Sequence, residues 1–241
     1  MQLFNFLESY PQLDISLPND KIHLWYTYLY PQNFDLDKFF QILSDDEKLR
    51  VKTFHFKKDK ECFLIGRGIL RLLLSAYLGI KPYDVEFYYG TNGKPFLNMT
   101  SNVNFNLSHS QKLLVLSFSR NRMIGVDIEY IQLIDIKNIV ERFFSPIEYK
   151  MFEGINESDR LISFFKWWTR KESFIKAIGK GMTQCFREFD VTVLPDHEAK
   201  ILNIRNEANE AASWSLHDII IDPDYSCCVC IENVKDEIIK Y

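Results

Sequence analysis

The sequence lacks a long uninterrupted apolar segment, a secretory signal and a strong excess of positive charge. Its longest apolar helical stretch, residues 69–80, is interrupted by Arg71, so the chain offers no membrane span. The first residues contain no basic region followed by an apolar core, which is the pattern of a secretory signal. The net charge of -4 gives no general attraction to nucleic acid. We therefore expect a cytoplasmic protein that binds neither membranes nor nucleic acid.

The cysteines lack the arrangement of a zinc site. Three of the five cluster at Cys227, Cys228 and Cys230, and their C-x-x-C spacing has no second pair to complete a tetrad. The neighbouring residues are typical of a strand, and reduced cysteine behaves there as a small apolar residue. The cluster therefore predicts a buried strand rather than a metal or redox centre.

The pattern of helix signals indicates two similar halves. The chain has 241 residues and 46% hydrophobic content, enough for one large folded domain or two smaller ones. Two capping boxes, at residues 44–47 and 145–148, each precede a short helix, a long helix that ends at glycine, and strands. We predict an α+β fold whose halves, residues 1–105 and 106–241, are related by a pseudo-two-fold axis. A ligand cleft is expected between them, and an internally duplicated chain favours a monomer.

Three acidic residues predict a divalent-cation site. Asp127 and Glu129 alternate along a strand, so their side chains share one face. If the helix that carries Glu172 lies against this strand, the three carboxylates suit magnesium. Lys171 and Lys176 would then meet phosphate groups. Two simpler interpretations stay open, because acidic alternation is common on solvated strands and Glu172 with Lys176 has ion-pair spacing.

Three further segments are candidates for binding a polyanion. The turn Gly93, Lys94 and Pro95 places a cation beside a glycine that permits close approach, although an ordinary hairpin turn fits as well. Ser108 and His109 are hydrogen-bond donors at the end of a strand. His109 is better suited to donate a hydrogen bond to a phosphate than to act as the base of a nucleophile. A basic run after the first capping box includes Lys48 and Arg50, although most such runs are solvated faces.

With these motifs assembled, the chain resembles the surfactin-type 4′-phosphopantetheinyl transferases. The shared motifs are G-K-P, F-N-x-S-H-S, G-V-D-I-E and W-x-x-K-E-S-x-x-K-x-x-G-K-G, in the order of the family and over most of the chain. The last two motifs are highly specific, whereas G-K-P alone is weak. The resemblance implies a pseudo-two-fold monomer whose halves clasp coenzyme A as substrate, with Mg²⁺ on its pyrophosphate. It also implies an apo-carrier protein, peptidyl or acyl, as the acceptor.

The resemblance also implies roles for individual residues. Asp127, Glu129 and Glu172 are similar to the family's metal ligands, and Lys171 and Lys176 to its pyrophosphate contacts. The coenzyme-binding positions are those of Gly93, Lys94, Pro95, Ser108 and His109, with Lys48 and Arg50 in the basic run. Relatives often place a lysine where this chain has Glu47, so the contact to the 3′-phosphate stays open.

The implied reaction moves 4′-phosphopantetheine to a carrier serine and releases 3′,5′-ADP. Glu172 is the candidate general base, directly or through a water, and Lys176 assists with charge. Two alternatives to the transferase stay open: a magnesium-dependent phosphodiesterase or nuclease, and a non-catalytic nucleotide-binding module. Peptide, polyketide and fatty-acid carriers all fit as acceptors. The carrier protein is expected to dock on the segment between the G-V-D-I-E motif and the W-x-x-K-E-S-x-x-K-x-x-G-K-G motif. Core packing is the alternative for its apolar side chains: Ile139, Val140, Phe143, Phe144, Tyr149, Met151 and Phe152.

Overall fold

The computed structural model describes residues 15–180, 186–205, 210–232 and 237–241. The α-helices in this part of the chain are α1 (Leu36–Ile42), α2 (Asp45–Thr53), α3 (Lys57–Leu78), α4 (Lys137–Phe143), α5 (Pro146–Glu153) and α6 (Glu157–Ile178). The strands are β1 (Lys21–Tyr28), β2 (Phe87–Tyr89), β3 (Pro95–Leu97), β4 (Val103–Ser110), β5 (Leu113–Arg120), β6 (Ile124–Tyr130), β7 (Phe189–Val191), β8 (Ile201–Ile204), β9 (Trp214–Asp218), β10 (Tyr225–Glu232) and β11 (Glu237–Lys240).

Two larger sheets form the centre of the molecule. The first has the strand order β11-β1-β5-β4 and the second the order β6-β10-β9, while β2-β3 and β7-β8 form two small pairs. All pairings are antiparallel except that of β1 with β11. The α+β class is therefore confirmed.

The two larger sheets pack face to face, with a long helix on the outer face of each. Leu24 and Val115 of the first sheet share a buried cluster with Val126 and Val229 of the second. Alternate residues of the same strands point outward, so Trp25 packs with α3 in one cluster. On the other side, the outward residues of β10 pack with α6. The resulting layer order is helix, sheet, sheet, helix.

The local signals at the helix ends are confirmed. Both capping boxes are formed, one opening α2 and the other α5. The long helices end at Gly79 and Gly179, whose φ angles of 68° and 71° lie in the left-handed region that glycine adopts without strain. The long helices start at Lys57 and Glu157. The pseudo-two-fold relation between the halves stays a prediction.

The division of the chain into two halves stays a prediction, and strand pairing shows how the chain runs between the two larger sheets. The expected boundary at residues 105–106 falls inside β4, and both β4 and β5 belong to the sheet of β1. The chain changes sheet between β5 and β6, and β11 then returns from the second half to pair with β1. Motif positions along the chain do not indicate which sheet a hairpin joins, because sheet membership is decided by tertiary pairing.

Several strand predictions are confirmed. Cys227, Cys228 and Cys230 lie buried in β10 as free thiols, as expected. A 3₁₀ turn, Ala211–Ser213, directly precedes β9. Within the described ranges, no helix has the length and apolar character needed to cross a bilayer.

A buried histidine should make stability depend on acid pH. His23 is 2% exposed, and its Nδ1 lies 2.8 Å from the hydroxyl of Tyr77. Burial lowers the pKa of His23 to about 4 from 6.5, so its contribution to stability is present above pH 6.5 and is lost as pH falls towards 4. We expect His23 to account for a loss of about 2 kcal/mol in unfolding free energy between pH 7 and pH 4.5. Urea unfolding of a His23→Gln variant should show a correspondingly smaller loss; an unchanged pH dependence would contradict this assignment.

Candidate active site

Strand β6 presents its acidic residues towards helix α6. Val126 and Ile128 pack in the cluster between the sheets, so Asp127 and Glu129 project to the opposite face. Gly125 lies on that same face, and a Cβ there would meet the backbone oxygen of Ser173 at 2.0 Å. The helix therefore packs directly on the glycine, and this close contact brings α6 next to the acidic residues.

Helix α6 supplies a third carboxylate and an ammonium to the same place. Lys176 Nζ lies 2.6 Å from Asp127 Oδ1. Burial, then the negative charge of Asp127, raises the pKa of Glu172 to about 7, and Glu129 contributes in the same direction. Burial and Asp127 likewise raise the pKa of Glu129. Glu172, which is distant along the chain from the two acids of β6, thus interacts with them electrostatically, and we name Asp127, Glu129 and Glu172 the acidic triad.

Strand β4 contributes hydroxyl groups to the acidic triad. The Ser108 hydroxyl donates to Asp127 Oδ1 at 2.9 Å and accepts from Lys176 Nζ at 2.9 Å. Two residues further on, the Ser110 hydroxyl donates to Glu129 Oε2 at 2.8 Å. Ser110 was not among the expected site residues, although its alternation with Ser108 in the S-H-S motif was a signal that could have identified it.

The donor set of the acidic triad fits a divalent cation. Two buried oxygens, Asp127 Oδ2 and Glu172 Oε1, have no hydrogen-bond partner among the described residues. Orphaned buried carboxylate oxygens are costly, and a cation would satisfy both. In the described ranges, no group of three histidine, cysteine, aspartate or glutamate side chains is arranged to hold a metal ion, so a cation here would need water or substrate oxygens as further ligands. This suits Mg²⁺, which is commonly held by one or two carboxylates together with water and substrate phosphate.

Lys171 does not face the acidic triad, contrary to expectation. Its side chain is fully buried on another side of α6, where Nζ lies 2.7 Å from Glu148 Oε1. The ammonium also donates to the backbone oxygens of Phe186, at 2.8 Å, and Phe189. Burial lowers the pKa of Lys171, while the Glu148 carboxylate opposes that shift. Consecutive helical residues point about 100° apart, so Lys171 and Glu172 serve different surfaces.

Lys94 is also placed differently from the expectation. Its Nζ donates to the backbone oxygens of Lys176, of Ala177 at 3.1 Å and of Ile124 at 3.4 Å. The last carbonyls of a helix lack partners within the helix and favour a cation. Burial lowers the pKa of Lys94 to about 8, so at neutral pH most of the amine can donate all three hydrogens. The G-K-P turn therefore caps the end of α6 through the Lys94 ammonium.

The other expected coenzyme-binding residues lie at different distances from the acidic triad. His109 lies between Ser108 and Ser110 on β4 with an exposed side chain. Desolvation and then the charge of Lys176 lower its pKa, while Asp59 opposes this shift and Lys58 adds to it. Lys48 Nζ lies 3.8 Å from Asp45 Oδ1, and the guanidinium of Arg50 lies over the ring of Phe63. No contact among the described residues joins Lys48 or Arg50 to the acidic triad.

Glu47, which stands where relatives often carry lysine, has a structural role. It completes the capping box of α2 by accepting from the Ser44 amide at 3.2 Å. Its carboxylate is buried and accepts from Arg71 Nε at 2.6 Å, with Arg67 Nε 3.8 Å away. The carboxylate at this position therefore joins α2 to α3 and is turned away from any anion.

The expected docking residues divide between core and surface. Val140, Phe144 and Phe152 are buried in the cluster beneath α6, so core packing is the correct interpretation for these three. Tyr149 is 37% exposed, and the neighbouring Ile147 is 55% exposed. The remaining members are half-buried: Ile139, Phe143 and Met151. Gly181, the last residue of the W-x-x-K-E-S-x-x-K-x-x-G-K-G motif, lies outside the described residues.

Comparison with known proteins identifies the family. Residues 123–230 match the model of the 4′-phosphopantetheinyl transferase superfamily, and residues 29–121 match the N-terminal model of 4′-phosphopantetheinyl transferases. These two matches meet where the chain changes sheet. The chain is 34% identical to the 4′-phosphopantetheinyl transferase HetI of Nostoc sp. over 90% of each chain. It is 27% identical to the 4′-phosphopantetheinyl transferase Sfp of Bacillus subtilis, over 80% of this chain and 84% of that one.

A solved structure gives a weaker likeness. The holo-[acyl-carrier-protein] synthase of Thermotoga maritima aligns with 46% of this chain and 62% of its own, at 14% identity and a TM-score of 0.35. The assignment therefore depends on the sequence relatives. Since HetI is similar over nearly the whole length of both chains, this chain belongs to the 4′-phosphopantetheinyl transferases and is an enzyme of that family.

Proposed function

We propose that this enzyme transfers 4′-phosphopantetheine from coenzyme A to a serine of an apo-carrier protein, with Mg²⁺, and releases 3′,5′-ADP. The observation that carries the proposal is the convergence of the acidic triad beside Lys176, with two orphaned buried carboxylate oxygens. Mg²⁺ held there would neutralise the charge that develops on the pyrophosphate oxygens. Asp127, Glu129 and Glu172 would hold it.

The residues around the acidic triad support binding of the coenzyme phosphates. Lys176 is 29% exposed at its side chain and can reach a bound pyrophosphate while it remains beside Asp127. His109 at the end of β4 and Lys58 at the start of α3 are close enough to interact electrostatically. We assign them to the coenzyme phosphates together with Ser108 and the backbone of Gly93 and Pro95. Lys48 and Arg50 remain candidates for the 3′-phosphate.

Glu172 is suited to remove the proton of the acceptor serine. In the proposed step, the serine oxygen attacks the β-phosphorus of coenzyme A, and the bond from that phosphorus to the bridging oxygen breaks. The serine proton passes to the Glu172 carboxylate, and 3′,5′-ADP leaves with the bridging oxygen and its electron pair. The Glu172 carboxylate would lie beside the pyrophosphate held at the acidic triad, so it could take the proton directly or through a water.

The carrier protein is assigned to the exposed apolar residues of α4 and α5. Ile147 and Tyr149 are the most exposed of these, and the half-buried Ile139, Phe143 and Met151 adjoin them. The adjacent segment also exposes Leu133, by 92%, and Ile134, by 40%. Exposed apolar side chains of this kind suit a carrier helix that would present its serine to Glu172. We further propose that the enzyme works in the cytoplasm as a monomer and binds no nucleic acid.

The direct test is transfer of label from coenzyme A. The enzyme is incubated with Mg²⁺, fluorescently labelled coenzyme A and a panel of peptidyl and acyl apo-carriers, each paired with its serine-to-alanine variant. Mass spectrometry should show one added phosphopantetheine on the intact carriers and none on the alanine variants. Hydrolysis of coenzyme A without any modified carrier would instead indicate a phosphodiesterase.

Replacing Lys171 distinguishes its observed role from phosphate binding. Lys171→Met should leave coenzyme A affinity within about threefold, because the ammonium faces Glu148 rather than the acidic triad. The same change should cost about 3 kcal/mol of stability, since it leaves Glu148 buried without its charged partner. Calorimetric titration with coenzyme A and urea unfolding measure the two effects. The double variant Lys171→Met with Glu148→Gln should recover part of the stability. A loss of coenzyme A affinity of tenfold or more in Lys171→Met would instead indicate that Lys171 binds a phosphate.

A further inference from the structure

Strands β4 and β6 lie side by side but belong to different sheets, and polar side chains of β4 form the connection. Asn106 Oδ1 accepts from the Val126 amide at 2.9 Å, in place of a strand carbonyl. Four residues along β4, the Ser110 hydroxyl accepts from the Tyr130 amide at 3.0 Å. Because side chains at every second strand position share a face, these bonds fix the register of β6 against β4.

Ser110 makes a second bond, and that bond reaches the acidic triad. A hydroxyl has one hydrogen, and in Ser110 it is donated to Glu129 Oε2 at 2.8 Å. The single oxygen of Ser110 therefore joins the Glu129 carboxylate to the amide of the next residue, Tyr130. Ser108 repeats this arrangement, accepting from Lys176 and donating to Asp127. Each acid of β6 is thus held by the serine beside it.

Glu129 needs such a restraint more than Asp127 does. Its side chain is longer by one methylene and is only half-buried, whereas Asp127 is 2% exposed and also held by Lys176. A flexible carboxylate must be ordered when it binds a cation, and that ordering lowers affinity. A hydrogen bond to one carboxylate oxygen removes part of this cost before the cation arrives.

We propose that Ser110 is a positioning residue that holds the Glu129 carboxylate in the orientation in which it binds the divalent cation. This inference rests on the proposed function, in which Glu129 is a metal ligand. Ser110 itself touches neither the cation nor the coenzyme. Its contribution is to affinity and selectivity for the cation rather than to the chemical step.

The test measures cation binding directly. Mn²⁺ binding to the enzyme with coenzyme A is followed by electron paramagnetic resonance for the wild type, Ser110→Ala and Ser110→Thr. We expect Ser110→Ala to bind Mn²⁺ about tenfold more weakly, and Ser110→Thr, which keeps the hydroxyl, to remain within about threefold of the wild type. The concentration of Mg²⁺ for half-maximal transfer should shift in parallel, while kcat at saturating Mg²⁺ changes less than threefold.

Ser119→Ala is the matched control. Ser119 is also a buried strand serine, but its hydroxyl donates to the backbone oxygen of Arg122. This variant should melt at a lower temperature yet bind Mn²⁺ as the wild type does. Unchanged Mn²⁺ affinity in Ser110→Ala, or an equal loss in Ser119→Ala, would overturn the role of Ser110 and leave the transferase proposal intact. A wild type that transfers the label without any divalent cation would overturn the role of Ser110 and the assignment of Mg²⁺ to the acidic triad.

Discussion

Replacing Glu172 with glutamine is expected to lower kcat/KM for carrier modification by about 10³-fold or more. A glutamine amide cannot take the proton of the acceptor serine, and loss of a general base alone costs roughly 10² to 10⁴ in rate. It also removes one negative ligand from the acidic triad, where Glu172 Oε1 is buried without a hydrogen-bond partner among the described residues. Coenzyme A affinity should fall by less than about tenfold, because Lys176 and His109 remain.

The measurement is the initial rate of label transfer at saturating carrier, with coenzyme A affinity obtained by calorimetry. Glu157→Gln is the matched control, since Glu157 lies exposed in the first turn of the same helix. That control should keep the wild-type rate. Transfer by Glu172→Gln at more than one-fifth of the wild-type rate would exclude Glu172 as the base.

Adding one methyl group at Gly125 is expected to have the second large effect. The new Cβ in Gly125→Ala would lie 2.0 Å from the backbone oxygen of Ser173 and 2.4 Å from the amide nitrogen of Ala177. Backbone atoms of a packed helix cannot move aside as a side chain can, so α6 must shift away from β6. We expect a loss of about 3 kcal/mol or more in unfolding free energy. Transfer should also fall, because the shift separates Glu172 from Asp127.

Urea unfolding monitored by tryptophan fluorescence tests this expectation. Gly154→Ala provides the control, because Gly154 has a right-handed helical backbone with φ of −76° and the nearest atom to a new Cβ is 3.5 Å away. That variant should unfold at the wild-type urea concentration or slightly above it. If Gly125→Ala unfolded at the same midpoint as Gly154→Ala, direct packing of α6 on β6 would be wrong.

Much of the architecture was predictable where the signals are local. The capping boxes at Ser44 and Ser145 and the glycines that follow each long helix give helix ends within two residues. The alternation of Asp127 and Glu129 predicts a shared strand face, since period two is fixed by backbone geometry. The spacing of Glu172 and Lys176 likewise predicts a shared helix face.

The structure and the sequence-based expectations differ for residues whose partners are distant in the sequence. Lys94 and Lys171 look like phosphate ligands because they are basic and belong to motifs, yet both ammonium groups are used by the protein. Lys94 binds the carbonyl end of α6, and Lys171 binds Glu148. The charge of a lysine is visible in the sequence, but its direction depends on the rotation of its helix or turn within the fold. The sheet to which β4 and β5 belong is hidden in the sequence for the same reason, because it is decided by the pairing of β5 with β1 and of β4 with β5.

The central claim is that Asp127, Glu129 and Glu172 hold one divalent cation on the pyrophosphate of coenzyme A. Crystals grown with Mn²⁺ and coenzyme A test it through the anomalous scattering of the metal. We expect one strong peak with oxygens of all three carboxylates and of the pyrophosphate within about 2.3 Å, close to the distances of Mg²⁺ sites. A peak that lies away from Glu172, or coenzyme A bound with its pyrophosphate remote from the acidic triad, would contradict it.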